Sequence, residues 1–217
     1  MSTTPSITTA TGHQTWAKVR PFAAVFLVAV AVAPVATVLH ELGHYTAHLA
    51  LGYQDVPFIS YDSSATGTAP DDPRGIIDGL SSAAGPVVSL LLVWVGVVVA
   101  RRGGPAPLAL GLVAVDCFRV VGSLMVNGIL EGDSPLDGLG DGFSELSVIP
   151  YHLDAMWAAV LVSLVDLALP LAAAVVVYRV LQRRGVRTVG AKFGLAFAGV
   201  VAGMVLWLGA LGPVVLP

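Results

Sequence analysis

His40, Glu41 and His44 are the residues whose types and spacing most directly imply chemistry. In the run His40-Glu41-Leu42-Gly43-His44, two imidazoles stand one helical turn apart on one face, with a carboxylate beside them. Two ring nitrogens placed in this way can reach one cation. Glu41 projects in a neighbouring direction, which suits it to take a proton from a bound water rather than to bind the metal. Zinc in such a site lowers the pKa of that water to about 7 and makes a hydroxide nucleophile available near neutrality. The setting adds weight, because the motif comes after Phe22 to Leu39, a stretch without a charged residue. Ionisable groups inside an apolar segment are costly and point to function.

Neighbouring residues refine the picture. Pro34 removes a backbone hydrogen bond and is expected to kink or open the helix, giving water a way in. His48 continues the histidine face but lies about 12 Å along a straight helix from His40, too far to share one zinc. It reads as an interfacial residue beside the centre. A catalytic zinc needs a third protein ligand and an open position. Asp133, Asp137, Asp141, Glu145 and His152 are the candidates, all in or beside one acidic stretch. Asp141 is preferred because Phe143-Ser144-Glu145-Leu146 after it can begin a helix. Asp137, with Leu139-Gly140 after it, is the alternative.

The elements that must position these groups are long and apolar. Of 217 residues, 56% are hydrophobic and only 12% charged, and the mean hydropathy is +0.83. Soluble domains carry about 25% charged residues, so the expected fold is an all-α integral membrane bundle. Five segments are long enough to cross about 30 Å of hydrocarbon. They run from about Phe22 to Leu51, Leu80 to Ala100, Pro107 to Leu130, Ala155 to Val180 and Phe193 to Val215. A polar stretch, Gly52 to Asp78, has room for a short hairpin around Val56 to Tyr61. Residues 1–20 read as a disordered cytoplasmic tail and 21–217 as a single transmembrane domain. Lys18 and Arg20 before the first span resemble a signal peptide, but an uncleaved anchor is expected.

Charge asymmetry sets the expected orientation. Lys18, Arg20, Arg101, Arg102, Arg179, Arg183, Arg184, Arg187 and Lys192 fall on one side of a five-span protein, and the acidic residues between spans fall on the other with only Arg74. By the positive-inside rule the N-terminus is cytoplasmic and the metal motif lies toward the external face. The expected location is a bacterial plasma membrane. The expected partners are the bilayer and membrane-protein substrates, with no nucleic acid. Cys117 is a lone thiol in an apolar segment and reads as core filler. Asp116 and Arg119, three apart in the third span, read as an ion pair facing the bundle. Asp166 has no local partner, and Arg119 on a facing helix is the candidate. Gly199-x-x-x-Gly203 is a close-packing face, internal or dimeric.

On these residues the chain resembles the site-2 protease family of intramembrane zinc metalloproteases. His40 to His44 matches the family's zinc motif. Ala84-Gly85-Pro86 resembles its Gly-Pro segment, and Asn127 with a later Asp-Gly pair resembles its Asn…Leu-Asp-Gly motif. The resemblance covers roughly residues 35 to 146. Leu136-Asp137-Gly138 matches the last motif by its letters, and Asp141 matches it by the Phe143 to Leu146 run on its C-terminal side. Gly128 to Pro135 is acidic here, where the family's run is shorter and Pro-rich. No PDZ-sized insertion is present, so gating by such a module is not expected. The resemblance implies an intramembrane Zn2+ endopeptidase acting on unwound transmembrane segments, with Asn127 holding a substrate carbonyl or oxyanion. Asn127 is equally readable as a helix cap before Gly128. The competing expectation is a non-proteolytic protein that binds or moves a divalent metal.

Overall fold

In a computed structural model the described residues are 10–56, 68, 70, 71, 75–125 and 145–216, with side chains described except for 10–17, 123–125 and 151–152. Among them every regular element is a helix. The long ones are α1 (Ala10–Leu51), α2 (Ile76–Arg101) and α3 (Ala106–Met125). A 3-10 turn (Glu145–Ser147) then leads into the short α4 (Val148–His152) and the long α5 (Met156–Arg183). Last come α6 (Val189–Leu206), a π turn (Trp207–Leu211) and α7 (Gly212–Val215). Helices suit this composition because each satisfies its backbone internally and needs no water to do so.

Four helical stretches are long and apolar enough to cross a bilayer: Lys18–Leu51, Ile76–Arg101, Met156–Arg183 and Val189–Val215. Where five such spans were expected, the remaining segment is α3, with Asp116 and Arg119 in its second half. It packs against α1, α2, α5 and α6, so its charges are shielded by the other helices. α1 begins at Ala10 and so covers half of the stretch expected to be a disordered tail. The 52–78 segment holds no strand among its described residues, only an isolated antiparallel bridge between Gln54 and Thr68. The hairpin expected around Val56 to Tyr61 lies almost wholly outside the described residues.

Contacts give the helix directions. His40 and His44 of α1 meet Ser89 and Ser81 of α2, so these two helices are antiparallel. The Gly199-x-x-x-Gly203 face lies inside the molecule, against α1 running the same way. A Cβ at Gly199 would stand 2.7 Å from Phe26 O, and one at Gly203 only 3.0 Å from Ala33 Cβ. Gly203 also comes against Val30 O, the carbonyl that Pro34 cannot serve because proline has no N–H. α1 stays helical through Pro34, and at Gly203 there is no room for a Cβ beside the freed oxygen. Gly203→Val is therefore expected to destabilise the bundle by about 1–3 kcal/mol through overpacking. Thermal unfolding in detergent reads it, and an unchanged midpoint would contradict this packing.

Apart from Arg119, the described Lys and Arg residues gather at one end of the bundle. Arg184 fixes that end by donating to Ala100 O, Gly103 O and Gly104 O just past α2. The nearby core is wholly apolar: Val25, Ala29, Ala33, Val93, Val97, Leu110, Val113, Leu181 and Val200 are buried together. The histidines lie toward the other end.

Candidate metal centre

His40 and His44 occupy successive turns of α1, and α2 fixes both rings from the side. His44 Nδ1 lies 2.8 Å from Ser81 O, which can only accept, so Nδ1 carries the proton and Nε2 keeps its lone pair. His40 Nδ1 lies 2.9 Å from Ser89 Oγ and can donate in the same way. Histidine ligands are commonly oriented by such a bond on the far nitrogen. Ser81 is braced in turn: its hydroxyl donates to Asp78 O at 2.8 Å, and the Tyr53 hydroxyl reaches Asp78 Oδ1 at 3.3 Å.

The third group is Glu145. Its Oε2 lies 3.4 Å from His40 Nε2 and 3.5 Å from His44 Nε2, while the two Nε2 atoms are 3.2 Å apart. Ligands about 2.0–2.2 Å from a tetrahedral zinc are spaced about 3.3–3.6 Å from one another. The triangle His40–His44–Glu145 thus has nearly the dimensions of one tetrahedral face. These three residues are able to hold a metal ion. Burial raises the pKa of the Glu145 carboxyl, but when both imidazoles also carry a proton on Nε2 their hydrogen bonds and positive charge outweigh it and hold it at about 2. Its side chain remains 49% exposed.

Two glycines let the parts approach. A Cβ at Gly85 would overlap His44 Nε2 and stand 2.6 Å from His40 Nε2. The bare backbone of α2 therefore borders the space between the imidazoles. A Cβ at Gly79 would come within 3.0 Å of Ile149 N. This lets α4 lie against the start of α2 and carry the Glu145 turn to the histidines. Ser147, 1% exposed, anchors that turn.

Glu41 is not part of the triangle. Its Oε2 is buried and has no hydrogen-bond partner among the described residues. With His40 it lines a cavity of about 180 Å3, walled by Thr37, Ser89, Val115, Phe118, Arg119 and Met204. A buried carboxylate oxygen costs free energy when left unpaired, and a water or substrate proton in this cavity would relieve it.

Arg119 connects this cavity to the expected ion pair. It donates Nε to Asp116 Oδ1 at 2.7 Å and grips Asp166 with two bonds, Nη2 to Oδ1 at 2.8 Å and Nη1 to Oδ2 at 3.2 Å. Asp166 thus meets its expected partner on the facing helix. His48 is 7% exposed and packs on Tyr53 with ring centroids 4.4 Å apart, outside the triangle. Cys117 is buried, as core filler would be.

No family model, curated protein or solved structure matches the chain.

The structure brings His40, His44 and Glu41 together as the spacing required. Asp133, Asp137, Asp141 and Asn127 lie outside the described residues, as does the side chain of His152. Among the described residues Glu145, ranked below Asp141 from the sequence, meets the histidines. The parts that sequence reasoning missed are Ser81, Ser89 and the role of Gly85. The serines carried a signal, since polar side chains in an apolar helix tend to face the bundle interior.

Which acid completes the triangle can be measured. Glu145→Ala is expected to lower zinc affinity by at least 10- to 100-fold, whereas Asp141→Ala should leave it within a few-fold. Zinc titration with a competing chelator reads both. The opposite ranking would give the position to Asp141.

Proposed function

We propose that the protein is a membrane-embedded zinc endopeptidase, similar in its working parts to site-2 proteases. The observation that carries this reading is the near-tetrahedral His40–His44–Glu145 face with Glu41 Oε2, buried and without a hydrogen-bond partner among the described residues, on the adjoining cavity wall. In this reading the four apolar helices and α3 cross the bilayer, with the basic end cytoplasmic and the metal toward the external face.

The three ligands have the donor set and spacing that zinc prefers. Zinc, when bound, supplies a Lewis acid that polarises a carbonyl and acidifies water. Ser81 O fixes the tautomer of His44, and Ser89 Oγ can accept from His40 Nδ1, an arrangement that aims both Nε2 lone pairs at one point. Glu41 accepts the proton of the water whose oxygen adds to the peptide carbon. It then passes that proton to the departing amine nitrogen, so the C–N bond breaks with the proton count unchanged. The substrate segment would have to be extended or unwound to present its bond to Glu41, since a helix keeps its scissile bonds enclosed. Asn127 remains part of the proposal only through the resemblance.

Cleavage is tested on a library of peptides with transmembrane sequences, in detergent or proteoliposomes, by mass spectrometry of new termini. Wild type should produce new termini. Glu41→Gln should lose about 10²- to 10⁴-fold in rate while holding one zinc per chain. Undiminished cleavage by that variant would sink the mechanism.

The metal-carrier alternative needs a polar route to the basic end. The buried apolar cluster from Val25 to Ala33, with Val93, Val97, Leu110 and Val113, stands there instead. Asp116, Arg119 and Asp166 bind one another. These observations favour the enzyme.

A further inference from the structure

α2 and α5 enclose a groove remote from the histidines. Leu90, Val93, Trp94 and Val97 line it from α2, and Leu169, Ala172, Ala173 and Val176 from α5. Both sets keep the same three- and four-residue spacing, so each is one stripe of a helix. Val93 and Val97 form its buried floor, and Trp94, 61% exposed, makes one wall. The paired alanines opposite leave the depression, with a volume of about 260 Å3.

One charged residue borders this apolar space. Arg101 lies on the α2 stripe at the basic end of the bundle. Continuing the α5 stripe by three and seven residues from Val176 reaches Arg179 and Arg183, both exposed. Arg184 keeps the two helix ends level through its bonds to Ala100, Gly103 and Gly104. No Asp or Glu occurs from Gly79 to Val115 or from Leu167 onward to offset these charges.

Dimensions select the occupant. Leu90 to Arg101 spans about 16 Å along the helix, close to half of a hydrocarbon core about 30 Å thick. A helix about 10 Å across would need a far larger depression over that length than one of about 260 Å3. A single hydrocarbon chain fits.

We propose that this groove binds one acyl chain of an anionic phospholipid, with its phosphate held by Arg101 and the arginines beside it. The site rests on the reading that the apolar helices cross a bilayer and is independent of the zinc chemistry. It holds its lipid from the leaflet at the basic end, between helices rather than around them.

Native mass spectrometry of the full chain, after detergent exchange and addition of phosphatidylglycerol or phosphatidylcholine with matched chains, tests it. One phosphatidylglycerol per chain should be retained at least tenfold more than phosphatidylcholine. Arg101→Gln should lower that retention about fivefold. Ala172→Phe, which narrows the groove from its exposed side, should abolish it, while thermal unfolding and zinc content stay as in wild type. Equal retention of the two lipids, or unchanged phosphatidylglycerol retention in both variants, overturns the proposal. So does a peptide or a second copy of the chain found in place of the lipid. None of these outcomes depends on peptide cleavage, so failure here and failure of the peptidase reading are separable.

Discussion

A Gly85→Ala protein is expected to fold and to bind no zinc. The added methyl would overlap His44 Nε2 and crowd His40 Nε2, the two atoms that must share an ion. Neither ring turns away freely, because His44 Nδ1 is held by Ser81 O and His40 Nδ1 by Ser89 Oγ. Relief requires breaking one of those bonds or moving α2, and either change misplaces a ligand. The packing cost is about 1–3 kcal/mol, which a bundle of long apolar helices should survive. Metal content should therefore fall from one ion per chain to near zero, with the helical signal of circular dichroism retained. A zinc-loaded Gly85→Ala protein would show that α2 does not border the ion.

The second large effect is expected at Arg119. Asp116 and Asp166 are each 1% exposed, and Arg119 binds both. Arg119→Leu leaves two carboxylates buried without their cation. Removing one partner of a buried ionic group costs about 3–5 kcal/mol. For a chain of this size the melting midpoint should fall by roughly 6–20 °C. Arg119→Lys keeps the charge but cannot make the two-pronged contact with Asp166, so it should fall between the two. Neutralising the carboxylates as well, with Asp116→Asn and Asp166→Asn, should recover most of the loss. If it does not, the defect lies in packing around Arg119 rather than in charge.

Much of this arrangement was legible in the residues alone, for identifiable reasons. The histidine pair was visible because helical spacing is local. The partner of Asp166 was visible because an isolated charge in an apolar helix demands an opposite one, and few were on offer. The third member of the cluster was harder. An acidic stretch after α3 was recognisable, but the register of a short 3-10 turn decides whether a given carboxylate points at the histidines, and periodicity does not extend through such a turn. Gly85 was legible only as part of Ala84-Gly85-Pro86. Its contact with the imidazoles is made across two helices, and no local pattern encodes which surface a glycine meets. The Gly199-x-x-x-Gly203 stripe announced a close contact, and only the fold identified α1 as the partner.

The bonds from Ser81 and Ser89 to the two imidazoles bear on the order of events in the life of the chain. On an isolated α1, either ring is free to carry its proton on the wrong nitrogen, and neither is aimed. The pair becomes a ligand set only once α2 has come alongside and the Glu145 turn has folded over its start. Loading with zinc should then come after insertion and helix docking rather than guide them. On the peptidase reading proposed above, a newly made, half-assembled chain would carry no armed hydrolytic centre, so maturation itself would serve as the safety catch.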